Sequence, residues 1–188
     1  DAARATSGAV AKVRSDLLRA LLTGGDVGPT ATALARPPAP LAFLARGYLS
    51  PVAELLAAVG PAPSPGGRQS MCPRCGWPPQ VSKLKDEPGA EGNRRLVCAF
   101  CATDWVFPRS VCVACGASGD EGLEFHVDEG LSHVRVESCR SCRIYLKSVD
   151  LRIVGLAEPL VDDLATPELD LWATDQGLEK TVPNLLGL

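Results

Sequence analysis

The arrangement of eight cysteines constrains this chain more than any other feature, because every one of them belongs to a Cys-x-x-Cys pair. A two-residue spacer lets one tight turn direct both sulfur atoms at a single point, and two such turns complete a tetrahedral four-thiolate site. Four thiolates select zinc or iron over harder cations. The sequence therefore predicts two bound metal ions per chain, either iron or zinc. The predicted ligands are Cys72, Cys75, Cys98 and Cys101 in one site, and Cys112, Cys115, Cys139 and Cys142 in the other.

The spacing of the four pairs shows an internal repeat. The first and second pairs are 22 residues apart, the second and third are ten apart, and the third and fourth are 23 apart. This rhythm predicts two similar units in tandem, in which the first pair binds metal with the second and the third with the fourth. Interleaved pairing, first with third and second with fourth, is the less favoured alternative. Gly76 and Gly116 follow two of the pairs and suit the positive φ that such a turn needs.

Two other uses of these cysteines are less favoured than metal binding. Disulfide bonds require an oxidising compartment, and the sequence offers no export signal. A thioredoxin-like redox motif would use one Cys-x-x-Cys pair on a βαβ frame and not four pairs in series. Because metal ligands must be deprotonated, we expect metal binding and folding of this region to be one coupled event.

Several side chains near the cysteines have alternative interpretations. His126 and His133 lie within the second unit, but four thiolates already fill a tetrahedral site, so we expect neither histidine to bind the metal directly. Trp77 and Trp105 are predicted to pack over the sulfur atoms, with contact to a partner as the alternative. The arginines around the pairs are expected to be solvent-exposed charges. They are Arg94, Arg95, Arg140 and Arg143.

Composition divides the whole chain into five parts. The predicted fold class is α+β, with a helical N-terminal part, two tandem rubredoxin-like or zinc-ribbon modules of strands and turns, and a short C-terminal helix. The predicted boundaries are 1–60 for the helical region, 61–70 for a linker rich in proline and glycine, 71–108 for the first four-cysteine module, 109–150 for the second, and 151–188 for an acidic C-terminal segment.

Three helices can be located more closely. Apolar residues at helical spacing predict a helix over residues 9–23. Ser50 is followed by proline, which predicts the N-cap of a helix over 51–59. Thr166 is also followed by proline and predicts the N-cap of a helix from about 167 to 176.

The charge distribution argues against a nucleic-acid partner. The net charge is −3, and residues 148–188 carry two basic and eight acidic side chains. Each divalent ion held by four thiolates leaves a further net charge of −2 on its module. A nucleic-acid-binding protein would present a basic face, since phosphate neutralisation supplies most of its affinity. A zinc-ribbon nucleic-acid adaptor is therefore the least favoured function.

Catalysis and membrane insertion are not expected either. The chain has no Ser-His-Asp arrangement and no phosphate-binding loop, and a closed four-thiolate site has no free coordination position for a substrate. No uninterrupted run of about 18 apolar residues occurs, so no transmembrane helix is predicted. The chain also begins without methionine.

The order of these segments resembles a known family, the FdhE-type formate dehydrogenase accessory proteins. The resemblance covers most of residues 41–176. The segments that carry it are LAFLARGYLSPVAELLA, CPRCGWPP, LVCAFCATDW, CVACG, ESCRSCRIYLKSVD and VDDLATPELDLWA. The N-terminal helical part is shorter than is usual in that family, and the last residues match its ending only loosely.

The resemblance implies a fold and a function. It implies a helical region followed by two rubredoxin-like modules, with the eight cysteines as metal ligands and with iron favoured over zinc. It also implies a non-enzymatic protein that binds the catalytic subunit of a molybdenum- or tungsten-dependent formate dehydrogenase in the cytoplasm and helps its maturation. An iron-dependent electron-transfer or redox-sensing protein of the rubredoxin kind is the alternative.

Six further residues match characteristic positions of that family without an evident chemical role. They are Tyr145, Leu146, Lys147, Asp162, Asp163 and Leu164. From the sequence, the two adjacent aspartates are expected to be charges that flank a helix. The sequence does not indicate an oligomeric state.

Overall fold

Residues 2–22, 27–62 and 69–188 are described in the computed structural model, in which the chain separates into two units, Asp1–Val59 and Gly60–Leu188. The first unit is helical, and the second is a β-sheet with helices on one face. The predicted α+β fold class, with two tandem four-cysteine modules, is confirmed. Two C-terminal helices are present where one was predicted. Much of the predicted linker, at 63–68, lies outside the described residues.

The helical unit is built from three helices. They are α1 at Ala2–Leu22, α2 at Gly28–Ala33 and α3 at Pro38–Val59. Helix α1 contains most of the helix predicted over 9–23, and Thr23 lies outside the described residues. Its apolar stripe packs inward as the spacing requires, with Val13 and Leu17 half-buried and Leu21 buried.

Helix α3 corrects the prediction at Ser50. A single helix runs from Pro38 to Val59 with Pro51 inside it, and the Ser50 hydroxyl makes no hydrogen bond. Proline in a helix interior removes the bond to the carbonyl four residues earlier. Here that carbonyl belongs to Gly47, on the exposed face, where water can satisfy it. The opposite face stays continuous through the proline, because residues 41, 45, 49, 53 and 57 are all buried or half-buried.

The same helix bears on the expectation about membranes. In the described part of the chain, α3 is the one helix long and apolar enough, by length and composition, to cross a membrane. The search for an uninterrupted apolar run missed it because Arg46 and Glu54 interrupt the sequence. A single such helix is weak evidence for a membrane span, since helices of non-membrane proteins meet the same criterion.

The second unit contains seven strands in the described residues. They are β1 at Pro79–Glu87, β2 at Ala90–Cys98, β3 at Asp104–Val106, β4 at Leu123–Val127, β5 at Val134–Cys139, β6 at Ile144–Asp150 and β7 at Glu179–Lys180. They form one sheet with strand order β3-β2-β1-β6-β5-β4, and the short β7 lies beside β6.

The sheet consists of the same three-stranded unit used twice. In each module the first strand pairs antiparallel with the second, and the second pairs antiparallel with the third. The modules join where β1, the first strand of the first module, runs parallel to β6, the third strand of the second module. The two three-stranded modules are therefore related by translation along the sheet, and the sheet continues across the boundary between them.

One face of the sheet packs an apolar cluster against the C-terminal helices. Val81, Val136 and Val149 are fully buried there, against Leu169 and Ala173. These last two residues belong to α5 at Pro167–Asp175, which follows α4 at Pro159–Ala165. Helix α5 begins at the predicted residue. Thr166 does not cap it, because its hydroxyl donates to the Asp162 carbonyl instead.

The C-terminal strand lies between the two modules. Strand β7 pairs parallel with the start of β6, through Tyr145 and Lys180, while β1 pairs with the remainder of the same edge of β6. Just after β7, the Val182 carbonyl accepts a hydrogen bond of 3.0 Å from the Gln80 side chain of β1. The end of the chain thus contacts both modules.

The interior proline of α3 gives a prediction about stability. Replacing Pro51 by alanine restores the hydrogen bond to the Gly47 carbonyl and so stabilises the helix. Alanine also leaves the unfolded chain less restricted than proline does, which offsets part of this gain. We therefore expect the free energy of unfolding of the helical unit to rise by about 1–2 kcal/mol. Urea unfolding followed by helical circular dichroism measures this change. Pro38→Ala is the control, since a proline at the first helical position loses no bond and should change the same free energy by less than about 0.5 kcal/mol. Equal effects of both substitutions would contradict the assignment of Pro51 to a helix interior.

Candidate metal centres

The first and third cysteine pairs adopt the same turn. In the first pair, the Cys72 amide donates to the Trp77 carbonyl at 2.8 Å, and the Gly76 amide donates to the Cys72 carbonyl at 2.9 Å. In the third pair, Cys112 and Gly116 make the corresponding bonds at 2.8 and 3.0 Å. The internal repeat seen in the spacing is thus a repeat of backbone geometry.

Each turn is followed by a residue in the left-handed region. Gly76 and Gly116 both have φ of 77°, as predicted. After the second and fourth pairs the same position is held by Ala102, with φ of 52°, and Arg143, with φ of 63°. A non-glycine residue in this region costs roughly 1–2 kcal/mol. The turns are therefore held by contacts beyond local preference, and sequence reasoning based on glycine found only two of the four.

The turns bring the eight sulfurs into two clusters. Within each cluster all four Sγ atoms lie within 4.8 Å of one another. The first cluster contains Cys72, Cys75, Cys98 and Cys101, and the second contains Cys112, Cys115, Cys139 and Cys142. The structure thus groups the pairs sequentially and not in the interleaved arrangement.

The sulfur spacing fits a tetrahedral ion. A metal–sulfur distance near 2.3 Å requires sulfur atoms about 3.8 Å apart at the corners of a tetrahedron. The Sγ atoms of Cys72 and Cys101 are 3.7 Å apart, and those of Cys115 and Cys139 are 3.6 Å apart. Each cluster could hold one metal ion, and the donor set suits both zinc and iron.

Backbone amides surround the sulfurs. The Arg74 amide lies 3.4 Å from Cys72 Sγ, and the Ala114 amide lies 3.4 Å from Cys112 Sγ. These contacts favour thiolates, the form that binds metal. At Cys112, however, burial outweighs the backbone hydrogen bonds and raises the pKa of the thiol. The hydrogen bond from the Ala117 amide lowers the pKa of the Cys115 thiol to about 7, although burial acts in the opposite direction.

The two clusters differ in exposure. In the first, three cysteines are buried and Cys75 is half-buried. In the second, Cys112 and Cys139 are buried, Cys142 is half-buried and Cys115 is exposed. Solvent and solutes can therefore reach the second cluster more readily than the first.

Neither histidine joins a cluster. The Nε2 atom of His126 lies 3.0 Å from Ser138 Oγ, and its ring packs 4.8 Å from that of Trp172. His133 Nε2 lies 3.2 Å from a carboxylate oxygen of Asp162. Among the residues described, the two groups of histidine, cysteine or acidic side chains able to hold a metal are the two cysteine clusters.

The two tryptophans of the first module contact its core. Trp77 stacks on Phe100, which lies between Cys98 and Cys101, with ring centroids 5.0 Å apart. Trp105 is 7% exposed, and its indole N–H donates to the Gln69 carbonyl. Trp77 thus packs beside the cysteine turns and is half-buried.

A buried ring of four charges lies beneath the C-terminal helices, and sequence reasoning missed it. Asp163 accepts from Lys147 at 3.0 Å and from Lys180 at 2.8 Å, and Asp170 accepts from the same lysines at 2.7 and 2.8 Å. The exposed fraction of these four side chains is 4% or less. Because positive and negative charges alternate around the ring, it is neutral. Asp163 is therefore a buried ion-pair partner, and the expectation that it only flanks a helix is wrong.

The ring fixes the positions of four elements. Lys147 lies on β6 and also donates to the carbonyls of Asp163 and Thr166, at the end of α4, where helix carbonyls lack intrahelical partners. Tyr145 donates to Asp170 of α5 at 2.8 Å, and Lys180 belongs to β7. Burial and this hydrogen bond raise the pKa of Tyr145 above its ordinary value.

A second buried ion pair crosses the module boundary on the other face of the sheet. Arg94 of β2 contacts Glu137 of β5 at 2.6 Å, and both side chains are at most 1% exposed. Arg94 also donates to the carbonyls of Pro108 and Val111, directly before the third cysteine pair. The expectation of an exposed Arg94 is therefore wrong, whereas Arg140 and Arg143 are exposed as predicted.

The pair has a defined pH dependence. Burial raises the pKa of Glu137, but the charges of Arg94 and Arg135 outweigh it and hold that pKa below the ordinary value. Stability from this carboxylate is thus present above the pKa of unfolded glutamate and is lost as the pH falls through the lower, folded-state pKa.

Comparison with known families matches most of the second unit. The family described as "FdhE, central domain" matches residues 71–109, and the one described as "FdhE, C-terminal domain" matches residues 111–186. Together these ranges cover more than half of the chain.

Individual proteins agree with this match. A "Protein FdhE homolog" from Aquifex aeolicus is 40% identical over 119 residues, which are 63% of this chain and 42% of that protein. A homolog from Pseudomonas putida is 35% identical over 126 residues, 65% of this chain and 40% of that protein. The crystal structure of the FdhE protein from Pseudomonas aeruginosa superposes with a TM-score of 0.71 at 28% identity, covering 89% of this chain and 56% of that chain. The chain thus spans less than half the length of the two homologs from Aquifex aeolicus and Pseudomonas putida.

The cluster geometry predicts the effect of removing a ligand. Cys72→Ser should release one of two metal ions and unfold the first module locally, since three thiolates leave the tetrahedron incomplete. Cys112→Ser should do the same in the second module. Elemental analysis of the purified variants measures the metal content per chain. His126→Ala is the control and should retain both ions. Two ions at full occupancy in either cysteine variant would refute the ligand assignment.

The charge ring predicts a large loss of stability when one charge is removed. Lys147→Met leaves two buried aspartates facing a single lysine, and we expect the free energy of unfolding to fall by about 3–5 kcal/mol. Urea unfolding followed by tryptophan fluorescence measures it. The control is Lys83→Met, which removes a partly exposed pair with Asp104 and should cost at most about 1 kcal/mol. Similar losses in both variants would show that the ring has no special role.

Proposed function

Because the chain belongs to the FdhE family, we propose that it is an accessory protein for the maturation of formate dehydrogenase. The observation that carries this proposal is the match of both cysteine modules, residues 71–109 and 111–186, to domains of that family. In the proposed role the chain binds the catalytic subunit of a molybdenum- or tungsten-dependent enzyme in the cytoplasm and carries out no chemical step itself.

The proposed metal sites have a structural part in this role. When bound, a metal ion cross-links the two cysteine turns of its module. Each cluster is also attached directly to the sheet, because β2 ends at Cys98 and β5 ends at Cys139. The Arg94–Glu137 pair connects these two strands across the module boundary. A partner would therefore meet one continuous surface spanning both modules.

Two further observations support binding over catalysis or nucleic-acid recognition. Four thiolates per cluster leave no protein-free coordination position on a tetrahedral ion. The net charge of −3 offers no electrostatic attraction for phosphates.

The proposal predicts the phenotype of a deletion. In a strain lacking this gene, the formate dehydrogenase catalytic subunit should be synthesised but inactive, because its maturation is blocked. Immunoblotting measures the subunit, and formate oxidation in cell extracts measures its activity. Normal formate oxidation in a clean deletion strain would remove the proposal.

Complementation connects the phenotype to the metal sites. A Cys72→Ser, Cys112→Ser double variant should fail to restore formate oxidation and should not co-purify with the catalytic subunit. His126→Ala should restore activity and co-purify with the subunit, because it leaves both clusters intact.

The exposed Cys115 favours a second candidate function, electron transfer or redox sensing by rubredoxin-like iron. An electron must reach the metal from outside, and a sulfur at the surface shortens that path. This function requires iron that changes oxidation state reversibly. Two zinc ions per chain and no visible absorption, in protein purified from native cells without oxygen, would eliminate it.

A further inference from the structure

The cysteine turns of the two clusters have the same backbone geometry, but different side chains lie beside them. Aligning the turns by their hydrogen bonds places Trp77 and Ala117 at equivalent positions, each two residues after its second cysteine. Inside the second and fourth pairs, Phe100 is equivalent to Ser141. The two aromatic side chains beside the first cluster are therefore replaced by a methyl group and a hydroxymethyl group beside the second.

Two stacked aromatic side chains, Trp77 and Phe100, lie beside the cysteine turns of the first module and are called the lid below. Trp77 and Phe100 stack with an angle of 18° between their rings, and Phe100 is 3% exposed. Its neighbour Ala99 is 6% exposed. The Phe100 amide lies 3.3 Å from Cys98 Sγ, so the stacked pair adds apolar bulk beside a cluster in which three of the four cysteines are buried.

A hydrogen bond adds to the difference. The Oγ1 atom of Thr103 lies 3.2 Å from Cys101 Sγ and can donate to that sulfur when it is a thiolate. The equivalent residue of the second module is Ile144, which has no donor in its side chain.

The second cluster has no aromatic side chain at the two corresponding positions, which are Ala117 and Ser141. Arg140 and Ser141, inside the fourth pair, are both exposed, and so is Cys115. Metal leaves a four-thiolate site one ligand at a time, and a sulfur that solutes can reach is the one that a competing ligand or an electrophile attacks first. Buried structural cysteines are inert by comparison.

We propose that the two clusters have divided roles, in which the first cluster, beside the lid, releases its metal slowly and the open second cluster is an exchange site. The second cluster gives up or accepts a metal ion that binds thiolates, zinc or iron, in exchange with soluble nitrogen or thiol ligands. This inference rests on the proposal that both clusters bind metal. It requires no particular partner protein.

Metal release tests the division directly. The full chain is loaded with zinc, its content is verified as two ions by elemental analysis, and it is mixed with excess pyridylazoresorcinol, whose absorbance reports released zinc. Two phases of equal amplitude are expected, with the faster at least about tenfold faster, which corresponds to an activation free-energy difference of about 1.4 kcal/mol.

Alkylation identifies the cluster that empties first. Iodoacetamide is added at the end of the fast phase, and each freed cysteine sulfur displaces iodide and forms a sulfur–carbon bond. Peptide mass spectrometry should find the label on Cys112, Cys115, Cys139 and Cys142. Label on the first cluster, label spread equally over both, or a single kinetic phase would overturn the proposal.

Exchanging the covers tests the cause. Ala117→Trp with Ser141→Phe transfers the lid and should slow the fast phase, while Trp77→Ala with Phe100→Ser should accelerate the slow phase. Val127→Trp, at an exposed position on β4, is the matched control and should change neither rate. Unchanged rates in both lid variants would refute the role of the lid.

If the transferred lid prevents zinc loading, the labelling pattern of the unaltered chain still decides which cluster exchanges. A chain that loads fewer than two zinc ions would overturn the metal assignment itself and is recognised before any chelator is added.

Discussion

Four sulfur atoms can meet within a few ångströms only if the chain returns to its starting point, and in each module an antiparallel strand pair brings it back. In the first module, β1 leaves the first cysteine turn and β2 returns, so that Pro79 lies opposite Cys98. In the second, Leu123 lies opposite Cys139. The separations of 22 and 23 residues are the lengths of these excursions. Strand direction, register and the position of each turn all follow from this requirement.

Buried charges specify how the two modules and the C-terminal helices are arranged. The Arg94–Glu137 pair lies on one face of the sheet and the ring around Lys147 lies on the other, because neighbouring residues of a strand point to opposite faces. Buried ion pairs add little net stability, but an arrangement that leaves one partner unpaired is strongly penalised. A sheet that separated β2 from β5 would bury Arg94 without Glu137, and a different placement of α4 and α5 would bury Lys147 without its two aspartates. The two networks therefore specify the arrangement more than they strengthen it.

Features encoded over a few residues were predictable from the sequence, and features that depend on distant pairing were not. The cysteine turns, the glycines at 76 and 116 and the start of α5 are local, and the structure has them where the sequence places them. The charge ring unites residues 147, 163, 170 and 180, and no spacing rule connects these positions. The parallel pairing of β1 with β6 and the insertion of β7 are equally non-local. At Pro51 the local signal misled, because a continuous packing face outweighed the proline.

A sheet built by translation has no internal rule that ends it, because each copy presents the same two edges and a third copy could pair with either. Equivalent strands of the two modules differ in length, and in each case the shorter strand lies at an edge of the sheet. Strand β1 has nine residues where it lies inside the sheet, whereas its counterpart β4 at the outer edge has five. Strand β6 has seven inside, whereas its counterpart β3 at the opposite edge has three. Short edge strands offer little backbone for a further chain to pair with. The short strands at both edges of this sheet thus disfavour backbone pairing with a third module or with another chain.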